Sequence, residues 1–248
     1  MMLERGRLIV IEGSDSSGKE KQSRLLRNAL LLRGYGVAFY DFPNYESFFG
    51  KLIGRYLRGE FGSVFEVSPF LVSPMYALDR YLKKDQIKKD IDEGKILVFN
   101  RYVGSNLAHM SAKLPASERP GFIEWMEQME YVELGMPLEE ISLFLHVPAQ
   151  KGQELTLKKD AKVYMEGTGR ARGDIHESDL YFLEQSVIQY LWLTMNRSHW
   201  FEIACMTDQG NLLPAELVHL KVKALLQERE IVDFRMPPIQ NIPTVFLG

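Results

Sequence analysis

Along the 248 residues the spacing of apolar positions switches repeatedly between two periods. Leu8 to Ile11, Val37 to Tyr40, Ile96 to Phe99, Ile141 to Val147 and Trp200 to Cys205 are short, almost continuous apolar runs. Runs of that kind are expected of strands covered on both faces of a parallel sheet. Between them the apolar residues recur at helical spacing. Leu25, Leu26, Ala29, Leu30 and Leu32 predict a helix from Ser23 to Arg33, ended by Gly34 and Gly36. Ser47 can cap a second helix to about Arg58, and Ser68-Pro69 opens one long stretch through Asp92 that Gly94 ends. Segments at about 104–113, 119–134, 177–197 and 213–230 complete the helices, while Pro43 and Pro148 stop strands. Strand and helix alternate five times, which predicts an α/β fold: an open, mostly parallel five-stranded sheet with helices on both faces.

The pattern fades in two places. Between Gln150 and Gly173, Lys151, Lys158, Lys159, Lys162, Arg170 and Arg172 crowd a weakly periodic, glycine-bearing stretch. A solvated charged loop and a mobile lid both fit it; Arg170 and Arg172 favour the lid once a phosphate-binding loop is found elsewhere. Residues 233–248 carry three prolines and read as an extension that lies over the surface or a partner, or stays disordered. The expected organisation is one domain over 1–232, with a lid at about 150–173, and the extension at 233–248.

Composition narrows the function. A net charge of −3 gives no general reason to bind nucleic acid, so an anion must be held locally. One cysteine, Cys205, excludes an internal disulfide and fits a reducing compartment. No apolar run approaches the roughly 18 residues of a membrane span, and the N-terminus lacks a signal-peptide pattern. A soluble, cytoplasmic protein without membrane association is expected.

The local anion site lies just after the first strand. Gly13-Ser14-Asp15-Ser16-Ser17-Gly18-Lys19 has the Gly-x4-Gly-Lys spacing and stands between a strand and a helix. That order lets glycine-flanked backbone N–H groups converge on a phosphate, adds the partial positive charge of a helix N-terminus, and brings a lysine to the terminal phosphates. The hydroxyl residue expected after the lysine, a magnesium ligand, is replaced by Glu20, with Lys21 following.

Further motifs follow in order: Phe42-Pro43-x-Tyr45, Gly59-Glu60-Phe61-Gly62, Tyr76-Ala77-Leu78-Asp79-Arg80, Asn100-Arg101-Tyr102-Val103-x-Ser105-Asn106 and Asp174-Ile175-His176-Glu177. Together with the phosphate loop they resemble the bacterial thymidylate kinases, of the kind whose catalytic arginines lie in the lid, over residues 7 to about 230. The resemblance implies a phosphate-loop nucleoside monophosphate kinase fold, ATP and Mg²⁺ as cofactors, dTMP as acceptor and a homodimer. It gives Gly13 to Lys21 to ATP, Tyr76 to stacking on the base, Arg80 and Asn106 to the base edge, and Arg101 and Tyr45 to the acceptor phosphate. Asp15 matches a carboxylate that accepts from the sugar hydroxyl. Pro43, Ser105, His109, His176 and Glu177 fall at further acceptor positions. Lys19, Arg101, Arg170, Arg172 and Asp15 then carry catalysis, and Glu20 is the candidate metal ligand. The chain also departs from the pattern: Asp41 stands where an arginine usually precedes Phe-Pro, Met110 replaces a frequent glutamine, and Asn100 replaces the aspartate of Asp-Arg-Tyr. Two other readings stay open, a kinase for another pyrimidine monophosphate such as dUMP and a nucleotide-binding homologue without transfer activity.

Overall fold

The computed structural model describes residues 3–156 and 174–235. Its strands are β1 (Arg7–Glu12), β2 (Val37–Asp41), β3 (Ile96–Asn100), β4 (Ile141–His146) and β5 (Trp200–Ala204). They form one wholly parallel sheet in the order β2-β3-β1-β4-β5. The helices among the described residues are α1 (Lys19–Leu32), α2 (Phe48–Leu57), α3 (Pro69–Tyr81), α4 (Lys84–Asp92), α5 (Val103–Ser111), α6 (Arg119–Glu127), α7 (Ala149–Thr156), α8 (Leu180–Asn196) and α9 (Ala215–Glu228).

Both faces of the sheet are covered, and this is why its strands read as continuous apolar runs. Ile9 and Ile11 of β1 pack with Leu26 and Leu30 of α1 and Val222 and Leu226 of α9. Leu8 and Val10, one residue out of phase, face Phe99, Phe144 and the residues of α5 and α8. Burial of this aliphatic and aromatic surface, at roughly 25 cal/mol per Å² of apolar area, is the main force holding the layers together.

Several helix boundaries differ from the sequence reading. The stretch expected to run unbroken from Pro69 to Asp92 is two helices, with Leu82 and Lys83 between them. Packing decides this: α3 lies against α2 and α5, whereas α4 turns back so that Ile87 and Ile91 bury near β3. The segment expected as one helix over 119–134 ends in a π-helical turn, Gln128–Glu133, in which Glu130 points inward. Helix α8 begins at Leu180, capped by the Asp179 side chain on the Phe182 N–H, because 174–179 forms a separate turn. Residues 149–156 are helical, although the sequence gives only weak periodicity there. Downstream of α9, Arg7 donates to the carbonyls of Glu230 and Ile231, and Arg33 donates to that of Phe234. These contacts hold residues 230–234 at the end of the sheet opposite the phosphate loop. No helix among the described residues is long and apolar enough to cross a membrane.

Candidate active site

β1 sits between β3 and β4, so connections leave it towards both edges of the sheet; at such a point the carboxyl ends of parallel strands open a crevice. The loop after β1 occupies it. Gly13 has φ 153°, and a Cβ there would stand 2.6 Å from the Ser17 Oγ and 2.9 Å from the Leu145 carbonyl oxygen, so only glycine fits. Gly18 is left-handed at φ 88° and hands the chain to α1. The Lys19 ammonium is buried and donates to the Ser14 carbonyl at 2.5 Å. The Ser14 and Ser17 hydroxyl oxygens are buried and have no hydrogen-bond partner among the described residues. Buried hydroxyls are ordinarily paired, so this loop is shaped for an oxygen-rich ligand. Ser16 bonds Thr156 of α7 at 2.8 Å.

A second cleft of about 580 Å³, counting its open mouth, adjoins the loop. Asp15, Pro43, Tyr45, Tyr76, Arg80 and Arg101 line it, as do Ser105, Asn106, His109 and His176. Residues spread from 15 to 176 are therefore brought to one place, as the motif order implied.

Arg101 is the hinge between loop and cleft. It follows β3 with φ 65°, a left-handed conformation that a bulky residue seldom adopts and that marks a position fixed by its surroundings. Its guanidinium donates to Asp15 (2.5 Å), to the Ser105 hydroxyl (3.0 Å) and to the Gly13 carbonyl (3.3 Å). Burial opposes its charge, but Asp15, Tyr190 and Glu12 more than compensate and hold it firmly protonated. Behind it lies Glu12, which the sequence analysis did not single out. Glu12 accepts from the Tyr102 and Ser105 N–H groups, the Ser105 hydroxyl and the Tyr190 hydroxyl. Burial raises its pKa, and these donors with Arg101 pull the other way. A carboxylate closing an otherwise apolar strand was the available signal.

Arg80, expected at the base edge, reaches the cleft but is already engaged. Its side chain is 2% exposed, and two of its nitrogens donate to Glu130, which is fully buried. A third contact goes to the Tyr102 carbonyl at 3.3 Å. The guanidinium has five N–H donors, so this clamp fixes its plane and leaves donors for a ligand. Asn106 donates to the Ser73 carbonyl at 3.1 Å, while its Oδ1 is buried without a partner among the described residues. His109 donates its Nδ1 proton to the Ser105 carbonyl (2.7 Å) and stacks on His176 at 5.9 Å. Burial first, then the charges of Arg101 and His176, push its pKa down to about 3. It is a neutral ring whose Nε2 is an acceptor. His176 is held by Tyr56 at 2.9 Å and by its own N–H on Asp174.

Three expected contacts are placed elsewhere. Glu177 does not line the cleft: its carboxylate accepts from the Asp174 N–H, closing the turn that presents His176. Lys21 points outward at 61% side-chain exposure, 3.9 Å from Glu216. Glu20, the candidate metal ligand, is 64% exposed and accepts from Arg24 at 3.2 Å, one turn along α1. Arg170 and Arg172, with the rest of the expected lid after Thr156, lie outside the described residues.

Near Glu20, two of the unusual residues meet. Asn100 and Asp41 are register partners on β3 and β2, and the Asn100 Nδ2 donates to Asp41 Oδ1 at 2.8 Å. Asn100 Oδ1 is buried and has no partner among the described residues. An orphaned buried oxygen beside a carboxylate, next to a phosphate loop, fits a hard cation such as Mg²⁺.

Fold and cleft together define a phosphate-loop α/β enzyme with an adjoining acceptor pocket, the architecture of a nucleotide kinase. Residues 11–154 match the family model "Thymidylate kinase". The chain belongs to the thymidylate kinase family. It is 28% identical to thymidylate kinase of Mycobacterium tuberculosis over 208 residues, which cover 83% of this chain and 94% of that one. It is 32% identical to human thymidylate kinase over 147 residues, 59% of this chain and 64% of that one. The solved structure of thymidylate kinase from Candida albicans superposes with a TM-score of 0.68 at 19% identity, covering 91% of this chain and 93% of that one, and so shares its fold.

Proposed function

We propose that this chain transfers the γ-phosphoryl group of ATP to dTMP. The observation that carries the reading is the pairing, in one crevice, of a phosphate loop with unsatisfied hydroxyls and an acceptor pocket joined to it through Arg101. In phosphoryl transfer the protein contributes mainly positioning and electrostatic stabilisation. Gly13 to Lys19 cradle the donor phosphates by their N–H groups, with Lys19 on the terminal ones. Arg101 grips the acceptor phosphate, and its planar fork, held by Asp15 and Ser105, needs no reorganisation when the phosphate arrives. Tyr45 assists there, and Asp15 accepts from the sugar hydroxyl.

The base is read by groups of matched polarity. Tyr76 offers a π-face, Arg80 donates, and the unpaired Asn106 Oδ1 accepts from a ring N–H such as thymine has. Neutral His109, with His176 stacked beside it, walls the sugar side. Arg170 and Arg172 supply the closing charge from the lid at about 150–173. Bound Mg²⁺ would neutralise charge on the transferring phosphates. Glu20, turned to Arg24, serves that ion only through water.

The reading extends to organisation. The kinase domain spans 1–232 and 233–248 is an appended extension. The protein is cytoplasmic and homodimeric, and exposed Phe70, Leu71 and Trp125 on α3 and α6 provide an apolar face for a second copy. Sedimentation tests the dimer. The activity is tested by ADP release with ATP, Mg²⁺ and a panel of monophosphates. dTMP should give the highest kcat/KM, preference for dUMP would reassign the base, and binding of ATP without turnover on any acceptor would mark a homologue that has lost transfer.

A further inference from the structure

This inference rests on the kinase reading above and concerns how the donor side holds its metal. We propose that Asp41, at the end of β2, supplies the metal-directed carboxylate of this enzyme, with the Asn100 Oδ1 beside it, in place of the hydroxyl missing after the loop lysine and the aspartate missing before Arg101.

Strand register places both residues. Ile11, Asn100 and Asp41 are partners across β1, β3 and β2, and neighbours in register present side chains to the same face. Ile11 packs with Leu26 and Leu30 of α1, so Asn100 and Asp41 lie on the α1 face at the carboxyl edge of the sheet, beside the first turn of α1. The electrostatic neighbours agree. Desolvation raises the Asp41 pKa first, the Asn100 amide lowers it, Glu20 raises it further, and Arg101 and Arg24 oppose. Glu20 and Arg24 are one turn apart on α1, so Asp41 stands within their field. Asp41 is nonetheless exposed to solvent, and that geometric exposure governs whether an ion can reach it.

The amide orientation points the same way. A carboxylate only accepts, so Asn100 must turn its NH₂ to Asp41, and its Oδ1 is then left without a donor. Asn100 is 8% exposed. Leaving that oxygen bare in a finished core would cost about 1–3 kcal/mol, whereas a hard cation satisfies it. One carboxylate and one amide are too few for an ion alone, and the described residues hold no group of three or more His, Cys, Asp or Glu side chains placed for a metal. The ion must arrive with phosphate oxygens, which fits Mg²⁺ and its preference for a few protein ligands plus nucleotide and water.

The experiment measures binding, not turnover. The dissociation constant of a non-hydrolysable ATP analogue is measured by calorimetry on the full chain in Mg²⁺ and in EDTA, and the ratio of the two reports the metal's contribution. Asp41→Asn should reduce that ratio at least tenfold without weakening binding in EDTA. The double variant Asp41→Asn/Asn100→Asp, which returns the carboxylate to β3 and keeps the hydrogen bond with its donor reversed, should restore the ratio to within threefold. Glu20→Gln should cost less than Asp41→Asn. An unchanged ratio in Asp41→Asn, an equal or larger loss in Glu20→Gln, or failure of the folded double variant to restore the ratio would each overturn the assignment. If the unsubstituted protein binds no nucleotide with or without metal, the kinase reading falls and this inference with it.

Discussion

The acceptor half of the cleft is largely wired to the protein before any ligand arrives, whereas the donor half leaves its oxygens open. Arg80 is clamped by Glu130, Arg101 by Asp15 and Ser105, and both histidines by hydrogen bonds, while Asn106 Oδ1 is left without a partner among the described residues. Around the phosphate loop Ser14 Oγ, Ser17 Oγ and Asn100 Oδ1 all lack partners among the described residues. The difference follows from what each half must do. Recognition of a base requires donors and acceptors fixed in one plane before binding, since misplacement by about 1 Å can cost 10²-fold in rate. A triphosphate with its ion brings its own dense set of acceptors and charge, so the loop needs only unpaired groups within reach.

The comparison breaks most severely at the residue that belongs to both halves. Arg101→Ala should lower kcat/KM for dTMP by about 10³-fold or more, with the affinity for an ATP analogue changed only a few-fold. Equal loss for both substrates would make Arg101 a structural pin of the phosphate loop. Next comes the clamp: Glu130→Gln leaves a buried guanidinium uncompensated and should destabilise the fold by roughly 3–5 kcal/mol in denaturant titration. The same variant should raise the KM for dTMP at least tenfold, and an unchanged KM would place Arg80 in the core and not in base recognition.

The arginines proposed for the lid sharpen the donor side. With no arginine inside the phosphate loop, Arg170→Ala/Arg172→Ala should reduce kcat about 100-fold or more while ATP affinity holds. An undiminished kcat would move the catalytic charge to another group, Lys162 first. The smallest expected effect is a pH dependence. His109 is neutral in the folded protein down to about 3 but protonates near 6.5 when unfolded. The unfolded state therefore binds the extra proton as pH falls through 6.5, and stability is lost on acidification. Between pH 7 and pH 5 the loss from this ring is about 2 kcal/mol. His109→Asn should flatten the stability profile by that amount, and a parallel profile would show the ring to be less enclosed than the structure has it.

Much of this was legible in the residue pattern, for identifiable reasons. The five strands declared themselves because a sheet covered on both faces favours apolar side chains, and the phosphate loop did so because its glycine and lysine spacing is dictated by backbone approach to an anion. What sequence spacing does not encode is partner choice at a distance. Glu130 lies 50 positions from Arg80, in a π-helical turn whose register no helical periodicity gives. Glu12 looked like the end of an apolar run, although it anchors the Ser105 and Tyr102 amides that fix Arg101. The break between α3 and α4 has no glycine or proline to announce it and comes from the need to bury Ile87 and Ile91. Glu20 was the natural substitute for a missing hydroxyl by position, yet its side chain follows Arg24 along the helix surface. The carboxylate nearer the sheet, Asp41, became visible only once β2 and β3 were in register.

The central claim, that donor and acceptor nucleotides occupy one continuous cleft joined at Arg101, is tested most directly by calorimetry with a bisubstrate probe in which adenosine and thymidine are linked by a chain of five phosphates. Occupying both halves at once should bind at least about 10³-fold more tightly than ATP alone, because the second contact becomes intramolecular. The Arg101→Ala variant should lose most of that gain. A probe that binds no more tightly than ATP would contradict the account.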